Sequence, residues 1–93
     1  FELVYGCKEL SKQNFNVIIA IGCIIKGETD HYDYICNSVS HGIMNLNILG
    51  PTPIVFCVLT DQNKSQSIAR SGGKNGNKGI EAAITAIKIA NFK

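Results

Sequence analysis

The sequence predicts an α/β fold in which helices cover both faces of a parallel β-sheet. Two short segments, residues 17–25 and 54–59, are apolar at nearly every position and rich in β-branched side chains. Continuous apolarity is typical of parallel strands that are buried on both faces. The segments around them carry apolar residues at helical spacing instead. Helices and strands that alternate in this way predict a layered arrangement of helix, sheet and helix.

The predicted order is helix, strand, helix, strand, helix, helix. Asp30 is expected to cap the second helix, and Asp61 a short helix over residues 62–70 that Gly72 and Gly73 end. Three apolar stripes define the longer helices: Leu3, Cys7 and Leu10; then Ile35, Val39, Gly42, Ile43 and Leu46; and finally Ile80, Ala83, Ile84 and Ile87.

A sheet of only two parallel strands would be narrow and marginally stable. In addition, the first helix follows no strand, although parallel strands are joined through crossover helices. We therefore expect one or two further strands upstream of Phe1. Residues 1–93 show no repeat or linker, and we predict that they form a single domain.

Composition and charge exclude several classes of partner. With 45% hydrophobic and 17% charged residues, the chain is globular rather than disordered. A formal net charge of +2 is too small to indicate nucleic-acid binding. Residues 17–25 form the longest apolar run, and a membrane span needs about 20 residues. We expect no membrane span.

The spacing of the four cysteines includes no CxxC pair, so we predict that they are buried, reduced thiols and do not form a metal site. They are Cys7, Cys23, Cys36 and Cys57.

The carboxyl ends of the two predicted strands are where an open α/β sheet binds its ligand. Residues 26–30 follow the first strand and lead into a helix, whose free N–H groups favour an anion such as phosphate. His31 lies at this helix start, where it could transfer protons near neutral pH or simply be solvated. Glu28, Asp30 and Asp33 fit helix capping better than a catalytic carboxylate pair.

The segment 70–79 combines three basic residues with four glycines. Its spacing matches neither the P-loop nor the dinucleotide-binding motif. A phosphate-binding loop and a solvated turn between two helices both remain open. Phe56 lies within an apolar strand, and we expect it by default to pack in the core.

Taken in order, the segments resemble the lumazine synthase family of riboflavin biosynthesis. The resemblance is carried by FEL at residues 1–3, IGCIIKGETDHYDY at 21–34, PIVFCVLT at 53–60 and RSGGKNGNKG at 70–79. It covers essentially the whole chain. It implies a flavodoxin-like αβα sandwich around a four-stranded parallel sheet, of which the first strands are missing here.

The resemblance also implies an activity and an assembly. The family condenses 5-amino-6-(D-ribitylamino)uracil with 3,4-dihydroxy-2-butanone 4-phosphate to 6,7-dimethyl-8-ribityllumazine, releasing phosphate and water, without a metal or organic cofactor. Its members form homo-oligomers, pentamers or icosahedral shells of sixty subunits, with active sites between subunits, and riboflavin synthase is an implied partner. The implied compartment is the cytoplasm, or a plastid if a transit peptide precedes the chain.

Residue by residue, the resemblance makes His31 the catalytic proton-transfer group. It implies that the substrate phosphate is bound by Glu28, Thr29, Arg70 and Lys78. It implies that the aminouracil and its ribityl chain are bound by Phe1, Glu2, Cys23, Ile24, Ile25 and Phe56. Two other functions remain open, namely a non-catalytic phosphate-binding α/β module and a shell-forming structural subunit.

Overall fold

The computed structural model describes residues 1–92. Strands β1 and β2 pair in parallel, from Ile18 beside Ile54 to Ile25 beside Asp61. Helices α1 and α2 pack on one face of this sheet and α4 packs on the other, which confirms the α/β class and its three layers. In chain order the elements are α1 (Glu2–Leu10), β1 (Ile18–Ile25), α2 (His31–Leu49), β2 (Ile54–Asp61), α3 (Lys64–Arg70), β3 (Ser71–Gly73), β4 (Gly76–Asn77) and α4 (Lys78–Ala90).

The main hydrophobic core lies between the sheet and the α1/α2 layer. The stripe predicted for α2 is confirmed, because Ile43 is only 2% exposed and Val39 is also buried. The stripe of α1 is confirmed in part, since Cys7 is buried whereas Leu10 is exposed. The buried members of this core are Cys7, Ile18, Ala20, Val39, Ile43 and Ile54.

Helices α1 and α2 approach closely where Val4 packs against Gly42. A Cβ atom built on Gly42 would lie 2.8 Å from both Cγ atoms of Val4 and 3.3 Å from its Cβ. Val4 is β-branched, so its side chain cannot easily rotate away. Gly42 is therefore needed in the apolar stripe for close packing of the two helices.

We expect Gly42→Ala to destabilise the protein by about 1–2 kcal/mol in chemical denaturation. Overpacking a core costs about 1–3 kcal/mol, which exceeds the roughly 1 kcal/mol that alanine gains in a helix. The matched control is Gly6→Ala in α1, where nothing lies within 4 Å of the added Cβ and a small stabilisation is expected. The double variant Val4→Ala/Gly42→Ala should regain stability relative to Gly42→Ala, and failure to do so would contradict the packing explanation.

The prediction that both faces of the first strand are buried is wrong for β1. Ile18 and Ala20 are buried beneath the α1/α2 layer, whereas Ile21 on the opposite face is 70% exposed. The buried residues that pack with α4 belong to β2, not β1. In β2 the prediction holds, because Ile54 and Val55 point to opposite faces and both are buried.

The apolar stripe predicted for the last helix is also wrong. Ala82 and Ala86 are the residues of α4 that pack against the sheet, next to Val55 and Cys57. Small side chains let the helix lie close to the strand. The residues of the predicted stripe are instead exposed; they are Ile80, Ala83, Ile84 and Ile87.

The ends of the short helix differ from the prediction. Asp61 is the last residue of β2, and the cap of α3 is Asn63, whose side chain accepts a hydrogen bond from the Gln66 N–H. The segment after α3 is not a plain turn, because residues 71–77 form a small antiparallel hairpin of β3 and β4. Gly72 and Gly76 have φ values of +107° and +96°, a conformation that favours glycine.

All four cysteines are free thiols, as predicted, but they are not all buried. Cys7 and Cys57 are buried, Cys36 is half-buried and Cys23 is exposed. Cys23 lies on the uncovered face of β1, which explains the difference. Among residues 1–92, no helix is both long enough and apolar enough to cross a bilayer.

Burial raises the pKa of the Cys7 thiol above its usual value of about 9. The unfolded chain therefore loses this proton at a lower pH than the folded protein does. Its contribution to stability is complete below about pH 9 and is lost as the pH rises towards the folded pKa. We expect the free energy of unfolding to fall above pH 9 by up to about 1.4 kcal/mol per pH unit from this thiol.

Denaturation at a series of pH values from 7 to 11 measures this effect. Cys7→Ala should have a smaller alkaline loss, despite a lower stability at neutral pH. Cys23→Ala, which removes an exposed thiol, is the control and should keep the original pH dependence. Identical alkaline losses in Cys7→Ala and the unchanged protein would contradict the assignment.

Candidate active site at the carboxyl edge of the sheet

The carboxyl ends of β1 and β2 lie side by side and are tied together by the backbone. Ile25 pairs with Asp61, and the Lys26 N–H then donates a hydrogen bond to the Asp61 carbonyl oxygen at 2.9 Å. The loop of residues 26–30 therefore begins directly over the end of β2. This is the position at which parallel α/β sheets bind ligands.

His31 is the first residue of α2, and its side chain is exposed at this edge. Its backbone N–H donates to the Thr29 hydroxyl oxygen at 3.3 Å. Asp30 occupies the N-cap position, as predicted, but its side chain makes no capping hydrogen bond. The side chain that accepts a hydrogen bond from the first turn of α2 is that of Thr29. Glu28 is exposed in the loop. The arrangement places an imidazole at a helix N-terminus that favours negative charge.

Tyr32 belongs to the same edge, although the sequence did not single it out. Burial raises the pKa of its hydroxyl above the usual value of about 10, as does hydrogen bonding with Cys36, whereas Thr60 lowers it. The hydroxyl is therefore protonated at neutral pH and can act as a donor. Only its position directly after His31 could have indicated it.

The last residues of β1 have different surroundings. Cys23 is exposed on the face away from α1 and α2, and its thiol lies 3.3 Å from the Ser67 hydroxyl. Ile24 is half-buried, and Ile25 is 43% exposed. Cys23 and Ile25 lie on the uncovered face of β1, whereas Ile24 lies on the face that packs against α1 and α2.

Phe1 and Glu2 lie at the start of α1, which packs over the second half of β1 on the same face as Ile24. The Leu3 Cδ2 atom would lie 3.6 Å from a Cβ atom on Gly22. Phe1 and Glu2 are both exposed there. Phe56, in contrast, pairs with Ala20 in the middle of the sheet and is half-buried against the α1/α2 core, in agreement with a packing role.

Arg70 ends α3 and is held by the segments that follow it. Its Nη1 donates to the Asn75 carbonyl oxygen at 2.8 Å, and its Nη2 lies 3.1 Å from the Glu81 carboxylate. Within residues 1–92 no hydrogen bond or ion pair joins Arg70 to residues 26–31. Glu81 is a partner of Arg70 that the sequence analysis missed, since it lies eleven residues away in another helix.

Lys78 is half-buried at the first position of α4. Its carbonyl oxygen accepts a hydrogen bond from the Cys57 thiol at 3.7 Å. The Asn77 side chain caps the same helix by accepting from the Ile80 N–H. The glycine-rich segment therefore has a clear structural role as hairpin and helix start. Across residues 1–92 no group of three or more His, Cys, Asp or Glu side chains is arranged to hold a metal ion.

Comparisons with known proteins identify the family of this chain. The model of the family described as 6,7-dimethyl-8-ribityllumazine synthase matches residues 1–93. Proteins of that name from Flavobacterium johnsoniae, Christiangramia forsetii and Porphyromonas gingivalis are 57%, 53% and 48% identical to all of this chain. The match covers 50%, 56% and 58% of those proteins, so the chain spans little more than half their length. Since the family model matches every residue, this chain belongs to the 6,7-dimethyl-8-ribityllumazine synthase family.

Proposed function

We propose that the protein forms 6,7-dimethyl-8-ribityllumazine from 5-amino-6-(D-ribitylamino)uracil and 3,4-dihydroxy-2-butanone 4-phosphate. The observation that carries this proposal is the family match over the whole chain. The edge of the sheet supports it, because the apolar end of β1 suits a pyrimidine ring and the N-terminus of α2 suits a phosphate.

The proposed reaction needs proton transfer and positioning more than it needs a strong nucleophile. The substrate amine attacks the ketone carbonyl and water leaves to form an imine. Phosphate is then eliminated from the butanone, and the ring closes when the second amine attacks the remaining carbonyl with loss of a second water. His31 is the proposed group that moves protons during these steps. Holding amine and ketone together raises their effective concentration, which supplies a large part of the rate.

The proposed contacts are those that the family resemblance implies. Thr29 and Glu28 lie at the N-terminus of α2, where the phosphate of the butanone would bind, and Arg70 and Lys78 would add positive charge to it. Cys23, Ile24 and Ile25 would line the aminouracil site. The other proposed aminouracil contacts are Phe1, Glu2 and Phe56.

We further propose that the active protein is a homo-oligomer, with sites between subunits. Two observations support this. In a single chain Arg70 is bound to Asn75 and Glu81 rather than to the loop before α2. In addition, α4 exposes large apolar side chains, with Ile80 61% and Ile87 64% exposed, and apolar patches of this kind are typical of interaction surfaces. A pentamer, alone or within a shell of sixty subunits, is the proposed assembly.

The test uses the complete encoded chain with both substrates. Lumazine absorbance and phosphate release should rise together in a one-to-one ratio, and sedimentation should show a multiple of five subunits. An assembled protein that forms no lumazine would indicate a structural subunit. A protein that binds inorganic phosphate without turnover would indicate a binding module, and either result would overturn the proposed activity.

A further inference from the structure

A chain of three hydrogen-bonded side chains crosses the candidate site from β1 through α3 to β2. The Cys23 thiol donates to the Ser67 hydroxyl oxygen at 3.3 Å, and that hydroxyl donates to the Asp61 Oδ2 atom at 2.8 Å. Ser67 is buried, with only 8% of its surface exposed, whereas Cys23 at the end of the chain is exposed.

The directions of these hydrogen bonds follow from the number of protons available. An ionised carboxylate can only accept, so the hydroxyl proton of Ser67 must point to Asp61. The hydroxyl has no second proton, and its oxygen can therefore only accept from the Cys23 thiol. The one thiol proton is turned towards Ser67, inside the protein.

This orientation determines what the exposed side of Cys23 offers to a ligand. Sulfur lone pairs face outwards and no donor does, because the only proton is already used. The complementary ligand group is a donor, such as a ring N–H, an amino group or a hydroxyl, and a carbonyl oxygen would find no partner there. The aminouracil with its ribityl chain carries donors of all three kinds.

We infer that Ser67 and Asp61 are positioning residues that orient the Cys23 thiol as a hydrogen-bond acceptor for the aminouracil substrate. This inference rests on the proposed function and deepens it, because it assigns a chemical preference to one side of the substrate site. Ser67 does not touch the substrate and acts through Cys23 alone.

The S–H stretching band in the infrared spectrum reports the thiol orientation without any need for activity. Comparison with Cys23→Ala identifies the Cys23 band among the four thiols. We expect Ser67→Ala to shift that band to higher frequency, because the thiol loses its fixed acceptor. Ser67→Thr, which keeps the hydroxyl, should leave it near its original position, and so should the control Ser65→Ala on the same helix.

Calorimetric titration of each substrate separately measures the consequence for binding. Ser67→Ala should weaken aminouracil binding about fivefold, as expected for loss of one neutral hydrogen bond. Binding of the butanone phosphate should change less than twofold. Asp61→Asn should give an intermediate effect, because an amide can both donate and accept and no longer forces one direction.

The outcomes separate this inference from the proposed function. An unchanged band in Ser67→Ala would overturn the hydrogen-bonded chain itself. A shifted band with unchanged aminouracil binding, or with equal weakening for both substrates, would overturn the positioning role. Failure of the proposed function appears independently, as a lack of lumazine from the unchanged protein, and aminouracil binding still tests the inference in that case.

Discussion

Arg70→Ala is expected to raise the KM for the butanone phosphate about 100-fold, with a much smaller change in the KM for the aminouracil. A guanidinium can donate two charge-assisted hydrogen bonds to a phosphate, and each contributes about 1.5–3 kcal/mol. Losing about 3 kcal/mol corresponds to about a 100-fold loss of binding. Steady-state kinetics with one substrate varied at a time measures the two constants.

The hairpin supplies a matched control for charge. Lys74 is an exposed base between β3 and β4, and Lys74→Ala removes the same charge from the same segment. It should change either KM less than twofold if the contacts of Arg70 matter rather than the local charge. Arg70→Lys should recover only part of the binding, because lysine cannot form a bidentate contact. A fall in kcat with an unchanged KM would contradict the binding role.

His31→Ala is expected to lower kcat about 10- to 100-fold and to leave both KM values within about threefold. A positioned general acid–base typically contributes about 10²- to 10⁴-fold. We expect an effect at or below the lower limit, because His31 is exposed and water can move protons in its place. The bound substrates would still react, since the site continues to hold amine and ketone together.

The second histidine is the natural control for this variant. His41 is exposed on the same helix, away from the loop of residues 26–30, and His41→Ala should retain full turnover. Added imidazole should restore part of the rate in His31→Ala, because it can enter the space that the side chain leaves. A large rise in KM with an unchanged kcat would show that His31 binds substrate rather than transferring protons.

Local patterns in the sequence were sufficient for the main elements of the fold. The apolar run of β2 and the stripe of α2 identified their elements correctly, because their residues are buried or half-buried and their pattern therefore reports burial directly. The place of the candidate site in the fold could be predicted for a similar reason. The loop of residues 26–30 joins a strand end to a helix start, and that position is itself a ligand-binding position in α/β folds.

The sequence predicted the wrong buried face for an element whose burial depends on which layer covers it. The isoleucines of α4 have helical spacing, yet the helix packs through Ala82 and Ala86, because only small residues allow close approach to β2. An apolar pattern indicates that a surface is buried against another surface. The pattern does not indicate whether that other surface belongs to the same chain.

The sequence by itself determined the α/β class, the order of the main helices and strands, and the edge of the sheet at which His31 lies. Only the tertiary structure revealed the pairing of Arg70 with Glu81 and the chain from Cys23 through Ser67 to Asp61. Ser67 lies 44 residues from Cys23, and contacts over such distances follow from how the layers pack. Periodicity is a property of neighbouring residues, and it carries no information about which distant side chains meet.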